Sequence, residues 1–298
     1  MSGKSRGFLM FAHNNEEVDY GKLAYICATL IKGNLKENKV AVVTDAGTHK
    51  YLLESNNKED VNRVIDEFII VDRDYDTRLP QRIYRDTVTE KNLTWFNGTR
   101  VNAYSLSPFD ETILIDSDLL IQDSMFDSIW GIDDDVIMNK EAVTLLGNKP
   151  PRGEQRLSHA SLKMYWATIL YFKKSDQGRM FFDLCEHVKE KYHIYCKMYG
   201  FPKGLFRNDF VVSIAAHMMN GFVENGHIKN FPTNQILTSF DHDELVACTR
   251  DSLTFLTNDS DNVDAYQLAN IGKRTVHCMN KFSILRNADD IIKAYANE

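Results

Sequence analysis

The chain has few thiols, no apolar stretch long enough for a membrane and no excess of positive charge. Its five cysteines, Cys27, Cys185, Cys196, Cys248 and Cys278, are odd in number, scattered, and form no CxxC pair. That argues against a zinc ribbon or a disulfide framework, and for a reducing, cytoplasmic setting. No apolar run approaches the ~18 residues that a spanning helix needs, so no membrane span is expected. Residues 7–12 are too short for the core of a signal peptide and read as a buried first strand. The net charge is −7 and no basic stripe is visible, which argues against long contact with duplex nucleic acid. The short cluster Arg78, Arg82 and Arg85 suits a phosphate group better than a DNA helix. The phosphate-cradling patterns GxxxxGKS/T and GxGxxG are absent, as are HExxH, internal repeats and low-complexity tracts.

What the chain does carry is apolar and aromatic weight. It is 43% hydrophobic, with thirteen Tyr, seventeen Phe and three Trp, against 26% charged residues. This is enough for a sizeable core and incompatible with disorder. Its 298 residues suit one large α/β domain, or one domain with a helical extension. Apolar runs at 8–12, 40–43, 68–71 and 112–115 alternate with helical patterns at 19–35, 59–66 and 95–105. Within 19–35, Leu23, Ile26, Cys27, Leu30 and Ile31 share one face. Short continuous strands separated by amphipathic helices predict a Rossmann-like, mostly parallel sheet with helices on both faces. Three of the runs end in an aspartate (Asp45, Asp72, Asp116), and the first ends in Ala12-His13-Asn14-Asn15. Ligands of open α/β sheets bind beyond the carboxyl ends of the strands, so these polar ends are where a ligand is expected.

The second half has a different texture. Residues 165–172 read as a strand, 175–199 and 207–220 as amphipathic helices, 226–281 as short strands and loops, and 282–296 as a closing helix. Together they form a helical and mixed extension. Residues 146–161, polar and with paired prolines, read as a loop and a candidate lid.

Asp116-Ser117-Asp118 leaves the run at 112–115 and is followed by Leu119-Leu120-Ile121. A departing nucleoside diphosphate concentrates negative charge, and the hard divalent cation that neutralises it takes carboxylate oxygens. The D-x-D spacing alone is weak, since about two such pairs are expected by chance. Asp72/Asp74, Asp74/Asp76, Asp133/Asp135, Asp241/Asp243 and Asp259/Asp261 share it and read mostly as solvated loop charges. Context separates Asp116 and Asp118, because two carboxylates inside an apolar stretch are costly without a partner. An ordinary strand-end turn is the alternative.

Residues 107–118, SPFDETILIDSD, resemble the metal-binding segment of GT-A-fold glycosyltransferases, above all the glycogenin and galactosyltransferase type (family eight) and related phage-encoded transferases. The resemblance implies a GT-A fold, with residues 1–140 as the nucleotide-binding half and 141–298 as the sugar and acceptor half of a single domain. It implies a nucleotide-sugar donor, a UDP-sugar first, with Mn2+ or Mg2+, and retention of anomeric configuration. Residues 7–20 are similar to the family's nucleotide-binding strand and loop, which places Ala12, Asn14 and Tyr20, and with them Asp45 and Ser117, near the nucleotide. Arg100 stands where such enzymes place a basic residue by the diphosphate. Phe206-Arg207-Asn208-Asp209-Phe210 resembles the later acidic motif by the sugar, and Val276-His277-Cys278-Met279-Asn280-Lys281 the segment whose histidine completes the metal site and whose lysine meets phosphate. The family's glycine and proline in that last segment are missing here.

Each residue has a plainer alternative. His277 could be a core histidine, Arg100 and Lys281 surface charges, Asp209 a carboxylate favouring a helix dipole, and Asp19 and Tyr20 a helix start. As functional groups, Arg100 and Lys281 would offset charge on the diphosphate, with Arg82 and Arg85 as weaker candidates. Asp209 would orient hydroxyls, stabilise a cationic transition state or act as base. Ala167-Thr168 could border the sugar. A sugar-phosphate nucleotidyltransferase would need a glycine-rich loop where this chain has His13-Asn14-Asn15-Glu16-Glu17. A non-catalytic glycan-binding module remains a second reading. The acceptor could be a glycan, a protein or a modified DNA base.

Overall fold

The computed structural model describes residues 4–36, 38–72, 81–96, 98–149, 155–159, 161–202, 206–223, 226–232, 236–258 and 266–295. Arg78, the aspartates at 74, 76, 259 and 261, and residues 150–154 and 160 of the expected lid lie outside them.

In chain order the elements are β1 (Arg6–Ala12), α1 (Tyr20–Asn34), β2 (Lys39–Thr44), α2 (Ala46–Ser55), α3 (Lys58–Val64), β3 (Glu67–Ile70), β4 (Gln81–Arg85), β5 (Glu90–Thr94), α4 (Ala103–Leu106), β6 (Glu111–Ile115), β7 (Leu119–Leu120), β8 (Val136–Asn139), β9 (Ala142–Thr144) and β10 (Trp166–Lys173). There follow α5 (Asp176–Glu190), α6 (Tyr192–Tyr199), α7 (Asn208–Met219), β11 (Lys229–Asn230), β12 (Ile236–Thr238), β13 (Glu244–Cys248), β14 (Leu253–Thr257), β15 (Gln267–Asn270), β16 (Val276–His277), α8 (Lys281–Arg286) and α9 (Ala288–Tyr295).

The central sheet has seven strands in the order β11-β8-β10-β6-β1-β2-β3. Every neighbouring pair is parallel except the two that β10 makes with β6 and β8. It is a mixed α/β fold with a mostly parallel sheet, as the alternation of runs and helices predicts. The pleat divides β1 between two apolar layers. Phe8, Met10 and Ala12 pack with α1 on one side, and Leu9 and Phe11 pack with α5 and α7 on the other. Both faces are therefore covered, and the continuous apolar runs are explained.

Local signals explain the helix boundaries. Asp19 caps α1 by accepting from the Lys22 N–H at 2.9 Å. Asp45 caps α2, a helix the periodicity did not single out. The expected helix at 175–199 is two helices, the second ending at Gly200, whose φ of 68° is the left-handed conformation glycine tolerates best. The expected closing helix is likewise two, broken at Asn287. The helix expected near 95–105 runs instead from 98 to 106, beginning with a 3-10 turn. Not every loop D-x-D pair is solvated, because Asp243 is fully buried and accepts from the Phe240 N–H at 2.8 Å.

Strands β4 and β5 form a separate hairpin. Along β4, half-buried Arg82 and buried Tyr84 face the protein, while Ile83 and Arg85 are exposed. Just beyond β4, Asp86 accepts two hydrogen bonds from Arg286, each 2.7 Å, and one of 3.0 Å from the Asn280 side-chain amide. Arg286 also reaches Glu244 at 2.5 Å, which joins the hairpin to β13 and α8. The Arg286 hydrogen bonds hold the Asp86 carboxyl down to about 2. A carboxyl depressed on folding adds stability above its unfolded value, and that stability is lost as pH falls through the folded value. Asp86→Asn is expected to cost on the order of 1 kcal/mol at neutral pH, a figure reduced for the exposure of Arg286. The gap between parent and variant should close between about pH 4 and pH 2, read from urea melts at each pH.

Candidate active site

A cleft of about 300 Å³ opens beyond the carboxyl ends of β1 and β6, lined in part by Tyr20, Arg82, Trp95, Arg100, Asp116, Ser117, Asp118, Asp209, His277 and Lys281. Four of the segments that line it, distant in sequence, hold its acidic cluster.

The first is the end of β6. The Asp116 N–H donates to the Thr168 carbonyl at 3.1 Å, which fixes the turn against β10. Beside it lies Arg100, 4% exposed, with Nη1 2.8 Å from Asp116 Oδ1. Its nitrogens also donate to the Ile115 carbonyl at 3.3 Å and the Ala167 carbonyl at 2.7 Å. A buried guanidinium is tolerated there because a carboxylate and two carbonyls satisfy it.

The second is the C-terminal segment. β16 pairs antiparallel with β7, setting His277 opposite Leu119, and the Cys278 N–H donates to the Asp118 carbonyl at 3.0 Å. This register brings His277 Nε2 to 3.4 Å from Asp118 Oδ1 and 3.9 Å from Asp116 Oδ2. Lys281, at the start of α8, sets its Nζ 2.7 Å from Asp118 Oδ2.

The third and fourth are α7 and β10. Asp209 Oδ1 accepts from the Ala167 N–H at 2.9 Å and Oδ2 from Arg207 Nη2 at 3.0 Å. Ser213, one turn on, accepts from the Tyr165 N–H at 2.7 Å. The helix start is thus stitched to the first residues of β10.

The charges act on one another. Burial works to raise Asp118, but Lys281 and His277 outweigh it and hold that carboxyl well below its ordinary range. For Asp116 burial prevails over Arg100, with the charge of Asp118 adding to it, and the carboxyl is raised. Burial works to lower His277, yet Asp118 and Asp116 overcome it and the imidazole is raised. Burial also works to raise Asp209, and Arg207 with the Ala167 N–H brings it down.

The donor set at Asp116, Asp118 and His277 fits a divalent cation. One ligand atom from each lies within 4.8 Å of the others. Two carboxylate oxygens and an imidazole nitrogen form a mixed set of the kind manganese accepts. The upward pull that the two carboxylates exert on His277 against its burial marks a local demand for positive charge. Among the described residues, this is the one group of three or more such side chains that converges in this way.

The expected site residues divide. Tyr20, Arg100, Asp116, Ser117, Asp118, Asp209, His277 and Lys281 line the cleft, as do Ala167 and Thr168. Tyr20 also shares a hydroxyl–hydroxyl bond of 2.9 Å with Tyr84. Asn14 lies instead in an adjoining recess with Asp19 and Thr48, joined to the cleft through Phe96, which lines both. Its Oδ1 accepts from the Gly21 N–H at 2.9 Å. Ala12 and Asp45 line neither space. The Ala12 carbonyl accepts from Thr44 Oγ1 at 2.6 Å, and Asp45 is committed to Thr48 and His13 as a helix cap. A polar strand end is here a capping position rather than a ligand contact. Trp95 and Phe96 line the cleft and escaped the sequence reading, and Met279 lines it from within a quoted segment that gave it no role. The two aromatics follow β5, in a hairpin that carried no period to reveal it. The described part of the expected lid holds a bridge between Arg156 and Lys163 and does not line the cleft.

No protein-family model and no curated protein matches the chain. Among solved structures it is similar to the galactosyltransferase LgtC in complex with donor and acceptor sugar analogs, at 13% identity and a TM-score of 0.44, over 75% of this chain and 72% of that one. It is similar to mouse xyloside xylosyltransferase 1 at 12% identity and a TM-score of 0.41, over 70% of this chain and 80% of that one. The glycosyltransferase GlyE of Streptococcus pneumoniae matches at 9% identity and a TM-score of 0.39, over 76% of this chain but only 45% of its own length. Likeness at this level decides nothing about chemistry, which has to come from the cleft.

Proposed function

We propose that this chain is a metal-dependent glycosyltransferase that takes a sugar from a nucleotide-diphosphate sugar, a UDP-sugar first. The observation that carries the reading is the convergence of Asp116, Asp118 and His277 beside Lys281 and Arg100, in a cleft at the carboxyl end of the sheet. A divalent cation held by those three residues, Mn2+ or else Mg2+, would neutralise charge on the nucleoside diphosphate as it departs. Lys281 presents its ammonium at the same place and meets a phosphate oxygen. Arg100 fixes the orientation of Asp116, and Ser117 lies between the two acidic ligands. Tyr20 and, from the adjoining recess, Asn14 border the nucleoside. Asp209, with both oxygens engaged, orients sugar hydroxyls and stabilises positive charge at the reacting carbon.

Retention of configuration is supported by what the cleft offers as a base. Asp209 is held below its ordinary range by Arg207, and His277 belongs to the acidic cluster. An inverting enzyme needs a base poised near the working pH. The acceptor is a glycan or a protein in the first instance. The absence of a basic stripe disfavours a DNA base. Among the described residues no helix is long and apolar enough to cross a membrane, and the scattered cysteines support a cytoplasmic setting.

The test is a thermal-shift screen of UDP-glucose, UDP-galactose and other nucleotide sugars with and without Mn2+, followed by hydrolysis of any that bind. At a hundredfold excess over Kd the melting temperature should rise by roughly 4 °C, with Mn2+ required. Hydrolysis separates an enzyme from a glycan-binding module. The reading is wrong if no nucleotide sugar gives a Mn2+-dependent shift.

A further inference from the structure

Four cations line the cleft at Arg82, Arg100, Arg207 and Lys281. Three of them each have an aspartate of the cleft as partner: Arg100 with Asp116 at 2.8 Å, Lys281 with Asp118 at 2.7 Å, and Arg207 with Asp209 at 3.0 Å. Arg82 differs. Among the described residues its guanidinium has no carboxylate within salt-bridge distance and no hydrogen-bond partner, and it lies over the face of the Tyr84 ring, 5.8 Å from the centroid. It nevertheless points inward, because the pleat of β4 puts Arg82 and Tyr84 on the protein side and Ile83 and Arg85 on the solvent side.

The strand that carries it is held at two points. Tyr84 bonds to Tyr20 at 2.9 Å, and Asp86 is clasped by Arg286 and Asn280. A half-buried guanidinium that no described residue engages by hydrogen bond, mounted on a fixed strand and facing a cleft, is a receptor for planar or tetrahedral oxygen anions. Its charge helps hold down the carboxyls of Asp209, which lines the same cleft, and of Asp241.

We propose that Arg82 receives an oxyanion of the substrate, a phosphate or a carboxylate. The proposal rests on the glycosyltransferase reading and adds to it a substrate group, since the other three cations among the described cleft residues each pair with an aspartate. Two sources share this chemistry: the donor's diphosphate, and an acidic group on the transferred or accepting sugar. The charge balance favours the second. A nucleotide sugar's diphosphate carries about two negative charges, which a divalent cation at Asp116, Asp118 and His277 balances, and every carboxylate of the cleft already has its own cation.

Isothermal titration separates the sources. One arm titrates UDP into protein with Mn2+. The other titrates glucuronate, glucose 6-phosphate and glucose into protein saturated with UDP and Mn2+. The two acids should bind roughly tenfold more tightly than glucose. Arg82→Gln should erase that difference with UDP binding unchanged, Arg82→Lys should keep part of it, and Arg85→Gln, on the outer face of the same strand, should keep all of it. If Arg82→Gln instead weakens UDP roughly tenfold, the oxyanion is the diphosphate and the receptor role stands. If Arg82→Gln changes neither arm, or the acids bind no better than glucose while UDP is unaffected, the proposal is overturned. Failure of the parent to bind UDP with Mn2+ is a separate result, and removes the glycosyltransferase reading beneath it. Melting temperatures of the variants verify folding, which a half-buried hairpin side chain should leave intact.

Discussion

Asp118→Ala should eliminate the Mn2+-dependent stabilisation by a nucleotide sugar and lower its turnover by roughly a thousandfold. The carboxylate stands between Lys281 at 2.7 Å and His277 at 3.4 Å, so its removal takes away a proposed cation ligand and the partner of a buried ammonium together. The second loss is structural. Lys281 is 8% exposed, and a buried charge left without a partner is strongly destabilising. Asp118→Asn separates the two effects, since it keeps the shape and a hydrogen-bond acceptor for Lys281 while removing the charge. It should lose Mn2+ response nearly as fully as the alanine variant, with a smaller fall in melting temperature. A Mn2+-dependent shift of parental size in both variants would sink the metal assignment.

Asp209→Asn should lower turnover by roughly a hundredfold and leave the affinity for UDP close to that of the parent. Its carboxylate is the hinge between α7 and β10, accepting from the Ala167 N–H at 2.9 Å and from Arg207 at 3.0 Å. An amide can satisfy one of these donors and presents its own N–H to the other, so Arg207 loses its charged partner and swings. Because Arg207 keeps the acid ionised through the neutral range, the variant should show no displaced ionisation between pH 6 and pH 8. A base role predicts the opposite, the disappearance of a limb of the rate–pH profile in that range. Equal turnover in parent and variant would remove Asp209 from the chemistry altogether.

The strands were legible because both faces of the sheet are buried. The runs at 8–12, 40–43, 68–71 and 112–115 became β1, β2, β3 and β6 with small shifts at their ends. The antiparallel placing of β10 was not legible, since an eight-residue strand buried throughout looks the same in either direction. Nor was the hairpin β4–β5, whose exposed faces leave only a faint alternation, and with it went Trp95 and Phe96.

Within the cleft, Asp116 and Asp118 stood out because an apolar stretch surrounds them. Asp45 has the same strand-end position and is a helix cap instead. Nothing short-range distinguishes the two cases, because both place a carboxylate where a strand meets a turn. Arg207 lay inside a motif already quoted, yet its pairing with Asp209 depends on a bend between residues two apart.

By itself the order of residues determined the alternation of strand and helix, the run that ends in two aspartates, the lack of an apolar run as long as a membrane helix and the scatter of the cysteines. These depend on periodicity and composition, which act over a few residues. Tertiary structure decided that His277 and Lys281, more than 150 positions from Asp116, would share its cleft, that Arg100 would pair with Asp116, and that Arg82 would line the same cleft with no carboxylate partner among the described residues. Those outcomes follow from strand register and from which charges burial forces together, and both are properties of the packed chain.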